Sequence, residues 1–229
     1  MLARVRLWWE AVDPAEIRSR ISEVNEGIIA VAGMGLGLAG AHVNAASTVI
    51  VVTLSAFVGA LSVAGVQLGG AFADMEAVRA LAEKERRLLE MSPDEELDKL
   101  AEKFVAKGVS AATARAVAEE LSAADALSAQ LEMEYGIREY ISSRSALSRG
   151  LAGGSAYLVG ALIPLLITIV VPVRWREEWA ALVALIALAT TSLVLARRGQ
   201  SNTWATAARS LGVGLVAFGA TYFFGDLLI

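Results

Sequence analysis

The chain has 229 residues, of which 56% are hydrophobic and 19% are charged, a balance that is typical of membrane proteins and not of soluble domains. It contains no cysteine, which excludes thiolate metal ligands, disulfide bonds and cysteine nucleophiles. Its net charge of −4 argues against nucleic acid as a partner, because phosphate binding requires a basic surface.

The first 24 residues are polar and lack an apolar run of signal-peptide length. Trp8 and Trp9 suit the headgroup layer of a bilayer, so residues 1–24 are predicted to form an amphipathic segment at the membrane surface. Within this segment a helix is predicted to begin with Asp13 as its N-cap and Pro14 at its first helical position.

Five stretches are long and apolar enough to cross a hydrocarbon core of about 30 Å. They are residues 27–45, 48–73, 151–173, 179–196 and 210–228. The sequence therefore predicts an all-α integral membrane protein with five transmembrane helices, two of them in residues 25–73 and three in residues 149–229.

Eighteen of the 20 basic residues precede the first span or lie between spans two and three or four and five. Basic residues concentrate on the cytosolic side of membrane proteins. The N-terminus and the segment between spans two and three are therefore predicted to be cytosolic, and the C-terminus to lie outside. A prokaryotic plasma membrane is the default location for a chain without a targeting segment.

Residues 74–148 are predicted to form a cytosolic helical domain inserted between spans two and three. The domain holds 16 acidic and 10 basic residues, a net charge of −6, so it attracts cations. The first of its four predicted helices continues from span two. The predicted N-caps of the other three are Ser92, Ser110 and the pair Ser122 and Asp125.

The first helix of this domain carries candidate metal ligands. Glu76 and Glu83 are seven residues apart and share a helix face, with Glu85 nearby. Carboxylates on facing helices can hold iron or manganese. Ion pairs of Glu76 with Arg79 and of Glu83 with Arg87 explain the same face without a metal, and both interpretations stay open.

Polar residues in the first two spans are candidates to line a transport pathway, because a polar group in hydrocarbon is costly and marks a functional route. They are Asn25, Glu26, Ser55, Ser62 and Gln67. A glutamate at the membrane edge can also simply extend toward water. The sequence contains no nucleophile constellation or phosphate-binding glycine loop, so it does not predict an enzyme.

Several motifs resemble those of the vacuolar iron transporter family, whose members exchange ferrous iron or manganese for protons. Asn-Glu-Gly-Ile-Ile at 25–29 resembles the family's Asn-Asp-Gly-Ile-Val, and Gly-Ala-Leu-Ser at 59–62 resembles its Gly-Ala-Leu-Ser-Met. Ser-Pro-Asp-Glu-Glu-Leu at 92–97 and Glu-Tyr-Gly-Ile at 134–137 follow in the family's order.

The resemblance implies a homodimeric antiporter whose metal path lies between spans one and two at the dimer axis. Glu26 stands at the position of the family's membrane aspartate, and Ser55 lies near a position where many members carry glutamate. Val63 stands where the family has a methionine. The family's cytosolic ligand positions fall at or near Glu76, Glu83, Glu85 and Glu134.

Three hypotheses follow. The first is a proton-coupled transporter of Fe²⁺ or Mn²⁺, with Zn²⁺ as a further candidate; its partners are these ions, membrane lipids and a second copy of the chain, and no cofactor is tightly bound. The second is a membrane scaffold or metal binder that does not transport. The third is a transporter or channel for another solute.

Overall fold

The computed structural model describes residues 14–138, 140, 142–199 and 203–228. Within these residues the regular structure is entirely helical. The helices are α1 (Pro14–Gly40), α2 (Ala45–Met91), α3 (Pro93–Ala106), α4 (Ala111–Tyr135), α5 (Ser143–Val170), α6 (Arg176–Gly199) and α7 (Thr203–Leu227), with a 3₁₀ turn at Val173–Trp175.

Helices α1, α2, α5, α6 and α7 are long and apolar enough to cross a membrane. The prediction of five membrane-spanning helices is therefore confirmed by length and composition. The first predicted span, 27–45, extends beyond the observed helix, because α1 ends at Gly40 and α2 begins at Ala45. Asn44 ends the intervening turn by accepting a 3.0 Å hydrogen bond from the backbone N–H of Ser47.

Helix α1 is described from Pro14 onward and runs without a break to Gly40. Residues 14–24 therefore belong to the same helix as the first span. Trp8, Trp9 and Asp13 lie outside the described residues, so the predicted surface segment and its N-cap stay predictions.

The chain divides into two compact units. The membrane unit comprises Met1–Leu68 and Ser148–Ile229, and the acidic unit comprises Gly69–Leu147. The acidic unit begins five residues before the predicted range 74–148 and ends one residue before that range ends; that this range forms a cytosolic domain stays a prediction.

Helix α1 contributes to both hydrophobic clusters of the membrane unit. In the first cluster Val31 of α1 packs with Val52 and Ala56 of α2 and with Tyr157 of α5. The second joins α1 to α6 and α7 and contains Ile28, Ala32, Leu36, Ala184, Leu188 and Phe218. The first span is thus the central helix of this unit, and its polar residues are placed by contacts on several sides.

Glycines allow α1 and α5 to approach with their backbones in contact. A Cβ atom added to Gly27 would lie 2.1 Å from the carbonyl oxygen of Tyr157. Small residues permit this packing between membrane helices. The crossing point lies next to Glu26 in sequence and fixes α1 there.

The helix ends of the acidic unit agree with most of the predicted caps. Ser110 Oγ accepts a 3.4 Å hydrogen bond from the N–H of Thr113, and Gly136 ends α4 with a positive φ of 70°. Asp125 has non-helical backbone angles inside α4, so a new helical segment starts there, as predicted. Ser92 precedes α3 but its side chain makes no capping hydrogen bond; Pro93 and an acidic first turn favour this helix start instead.

Candidate functional site

Glu26 is exposed and lines a shallow, open cleft of about 400 Å³ on one face of α1 in the membrane unit. Ser22, Asn25, Ile29 and Ala30 of the same helix line it as well. Asn25 Oδ1 accepts a 2.5 Å hydrogen bond from the hydroxyl of Thr191 on α6, which orients Asn25 and ties this turn of α1 to the fourth span. The Glu26 carboxylate thus stands at a cleft that can admit an ion or a proton donor.

The predicted pathway residues of span two occupy different environments. Ser55 is half-buried and Ser62 is exposed. Gln67 is half-buried, and its Nε2 donates a 2.7 Å hydrogen bond to Oε1 of Glu23. Gln67 therefore does contact the first span, but at a glutamate one turn before Glu26.

Glu23 was not among the predicted site residues, yet it is only 4% exposed. Besides Gln67, it accepts hydrogen bonds from Ser19 Oγ at 3.2 Å and from Arg20 Nη1 at 3.1 Å. The pair Arg20 and Glu23 has the spacing of an ordinary surface ion pair on a helix. Residues 1–24 are predicted to form a surface segment, and no feature of that pattern indicates that Glu23 is buried.

In the acidic unit, three of the predicted metal ligands are exposed: Glu76, Glu83 and Glu134. Glu83 forms the expected ion pair with Arg87, at 3.3 Å. Exposed helical pairs of this kind contribute about 0.3–0.5 kcal/mol. For Glu83 the structure supplies the partner that the non-metal interpretation requires.

Glu85, the fourth predicted ligand of this unit, is 1% exposed. Its Oε1 accepts a 2.9 Å hydrogen bond from the hydroxyl of Tyr135, and its Oε2 is buried without a hydrogen-bond partner. The hydrogen bond from Lys84 lowers the pKa of Tyr135, but burial and the nearby Glu85 outweigh it and raise that pKa above its ordinary value. The unpartnered oxygen is an unmet hydrogen-bond acceptor, and Lys84 Nζ lies 3.8 Å from the other carboxylate oxygen.

Glu96 is a second buried carboxylate of the acidic unit and was not predicted. It is 1% exposed, and Lys99 Nζ lies 2.6 Å from its Oε1. This hydrogen bond raises the pKa of Lys99. Gln130 Nε2 donates a 2.6 Å hydrogen bond to the backbone carbonyl of Glu96, which fixes α3 against α4. A lysine is thus the counter-ion of this carboxylate.

Among the residues that the structure describes, no group of three or more histidine, aspartate or glutamate side chains is placed to hold one metal ion. The five predicted metal ligands, Glu26, Glu76, Glu83, Glu85 and Glu134, are therefore not gathered into one site within a single chain. Their role as ligands stays a prediction.

Comparison with known proteins identifies the family. The model of the VIT family matches residues 17–226. A curated relative from Acanthamoeba castellanii, named as a vacuolar iron transporter, is 32% identical over 213 residues, which cover 92% of this chain and 78% of the relative. The resemblance seen in the motifs is thereby confirmed, and the chain belongs to the VIT family.

Proposed function

We propose that this chain transports divalent metal cations across a membrane, with Fe²⁺ and Mn²⁺ as its substrates. The observation that carries the proposal is the exposed Glu26 carboxylate in a cleft of the membrane unit of a VIT-family chain. A curated relative is a vacuolar iron transporter. Carboxylate oxygen is a hard ligand, and it suits Mn²⁺ and Fe²⁺ better than soft ions.

Glu26 binds either the metal cation or a proton, and this competition couples metal transport to proton transport. An ion in hydrocarbon needs more ligands than one carboxylate. The proposed homodimer supplies a second Glu26 at the axis between the two copies. Val63 offers no thioether to the ion. The path therefore favours hard cations more strongly than a path that contains methionine.

The acidic unit concentrates cations on the cytosolic side. Its net charge of −6 between residues 74 and 148 raises their local concentration, and Oε2 of Glu85, which is buried without a hydrogen-bond partner, is the ligand proposed for one of them. Its cytosolic location, together with that of the N-terminus, rests on the distribution of the basic residues.

The test is uptake of Fe²⁺, Mn²⁺ and Zn²⁺ into proteoliposomes that contain the full chain. Glu26→Gln removes the charge and keeps the size, and it is expected to abolish uptake. Glu16→Gln is the control, because Glu16 is exposed on the same helix and does not line the cleft. Equal uptake by the native chain and Glu26→Gln would remove Glu26 from the mechanism.

A second candidate is a membrane metal binder that does not transport. The residues that favour it are Val63 and Ser55, which replace the methionine and glutamate expected from the family. It predicts saturable binding of Mn²⁺ by the full chain in detergent with no flux into proteoliposomes, and measured flux excludes it.

A further inference from the structure

We propose that Glu23, Arg20 and Gln67 form a polar clasp between the first three spans that positions Glu26 in its cleft. Glu23 and Arg20 lie on α1 and Gln67 lies on α2, and the clasp is the set of hydrogen bonds among them. The inference rests on the proposed role of Glu26 and adds positioning residues to it.

The burial of Glu23 is the first step. A carboxylate that is 4% exposed is costly unless hydrogen bonds replace the lost water. Ser19, Arg20 and Gln67 supply them, and the shortest, from Gln67 at 2.7 Å, comes from another helix. The native fold therefore keeps α1 and α2 together at this point.

Helix α5, the third span, takes part in the clasp through its contacts with Arg20 and through Gly153. Arg20 Nη1 lies 3.5 Å from the backbone carbonyl of Arg149 on α5. A Cβ atom added to Gly153 of α5 would lie 3.0 Å from Cγ of Gln67 and 3.3 Å from Oε1 of Glu23. The absence of a side chain at Gly153 thus leaves the space that the clasp occupies.

The contacts on either side of Glu26 fix the rotation of α1. Glu23 is held by α2, Asn25 by Thr191 of α6, and Gly27 by the backbone of α5. Successive residues of a helix point about 100° apart. Because its neighbours are held on three sides, the exposed Glu26 is directed into the cleft.

The hydrogen bond from Gln67 also distinguishes the Arg20–Glu23 pair from the ion pair that Arg20 forms with Glu16. The carboxylate of Glu16 is 57% exposed and lies 3.7 Å from Arg20 Nη2, so its loss removes a solvated ion pair and no contact between helices. Glu16→Gln is therefore a matched control for Glu23→Gln: both changes remove one carboxylate from Arg20, and only one breaks the clasp.

The test uses a single-cysteine reporter, because the chain has no cysteine of its own. Ala30→Cys places a thiol in the cleft beside Glu26, and its reaction rate with a water-soluble maleimide is measured on the full chain in proteoliposomes. Glu23→Gln and Gln67→Met are each expected to change this rate by about tenfold, as for loss of a hydrogen bond to a charged group. Glu16→Gln should leave it unchanged. If one variant fails to fold, the other decides the outcome.

The double variant Glu23→Gln with Gln67→Glu restores a carboxylate–amide pair between the two helices and should bring the rate back toward that of the reporter alone. Unchanged labelling in both single variants overturns the clasp, and so does a rate that the exchanged pair fails to restore. Labelling requires no transport, so these results hold even where the native chain shows no metal uptake.

Measurements of Mn²⁺ uptake distinguish a positioning role of Glu23 from a general structural role. Glu23→Gln is expected to raise the half-saturating Mn²⁺ concentration by about tenfold, with the maximal rate retained, because Glu26 is present but misaligned. A lower maximal rate with an unchanged half-saturating concentration contradicts the positioning role.

Discussion

Gly160 of α5 packs directly on Val24 of α1: a Cβ atom added to Gly160 would lie 1.9 Å from the carbonyl oxygen of Val24. Because that atom is backbone, a small rotamer change cannot relieve the clash. Gly160→Ala should therefore separate the two helices and destabilise the protein by about 3 kcal/mol, the upper end of the cost of overpacking. Thermal unfolding in detergent checks this. Gly212→Ala is the control, since nothing lies within 4 Å of a Cβ there, and an equal loss in both variants would contradict the prediction.

Removal of the hydroxyl of Tyr135 should destabilise the acidic unit. In Tyr135→Phe the buried Glu85 loses the hydrogen bond to its Oε1 while its Oε2 already has no partner. The expected loss is about 1–3 kcal/mol, the cost of a buried group left unsatisfied, measured as a lower unfolding midpoint of the full chain. Tyr140→Phe, at an exposed tyrosine, should have no effect. The same midpoint for both variants would show that Glu85 does not depend on Tyr135.

Asp125 gives the acidic unit a stability that depends on pH. The side chain and backbone N–H of Ser128 donate hydrogen bonds to its carboxylate and lower its pKa. A carboxyl whose pKa is lower in the folded than in the unfolded chain stabilises the fold above its ordinary pKa, and this contribution disappears as the pH falls through the folded-state value.

Asp125→Ala should therefore cost about 1 kcal/mol at neutral pH, the usual value of an N-cap, and progressively less in acid. Denaturant unfolding of the full chain at several pH values measures the difference between the variant and the native chain. Glu120→Ala, at an exposed helical position, is the control. A difference that does not shrink in acid would be evidence against this cap.

Lys99→Met should leave the buried Glu96 without its counter-ion. The variant is expected to have a lower unfolding midpoint than the native chain, because an unpaired buried carboxylate is destabilising. Mn²⁺ should then raise the midpoint of the variant more than that of the native chain, since the freed carboxylate can accept a cation. Lys103→Met, at an exposed position of the same helix, serves as the control. No response of Lys99→Met to Mn²⁺ would show that Glu96 is closed to metal ions.

The sequence predicted what depends on local signals. Apolar runs identified the five spans, and Ser110 and Asp125 marked helix starts because caps act within a few residues. It did not identify the burial of Glu23 and Glu96.

The environment of these two glutamates depends on distant partners. Gln67 is 44 residues from Glu23 in the chain, and Gln130 is 34 residues from Glu96. An i,i+3 pair with arginine or lysine has the same appearance in sequence whether it is solvated or enclosed. Only packing against a second helix distinguishes the two cases.

Glycines connect four of the five long apolar helices, and this limits how a carrier of this design can change shape. Besides the crossing of α1 and α5, Gly225 of α7 meets the backbone of Gly37, and Gly154 of α5 meets that of Ala60. Helices joined in this way cannot slide by rotamer changes. Helix α6 packs on α1 through side chains, such as Ala184 and Leu188, which can exchange partners. Under the proposed transport function, the fourth span is the helix that can move against the other four without breaking one of these glycine crossings.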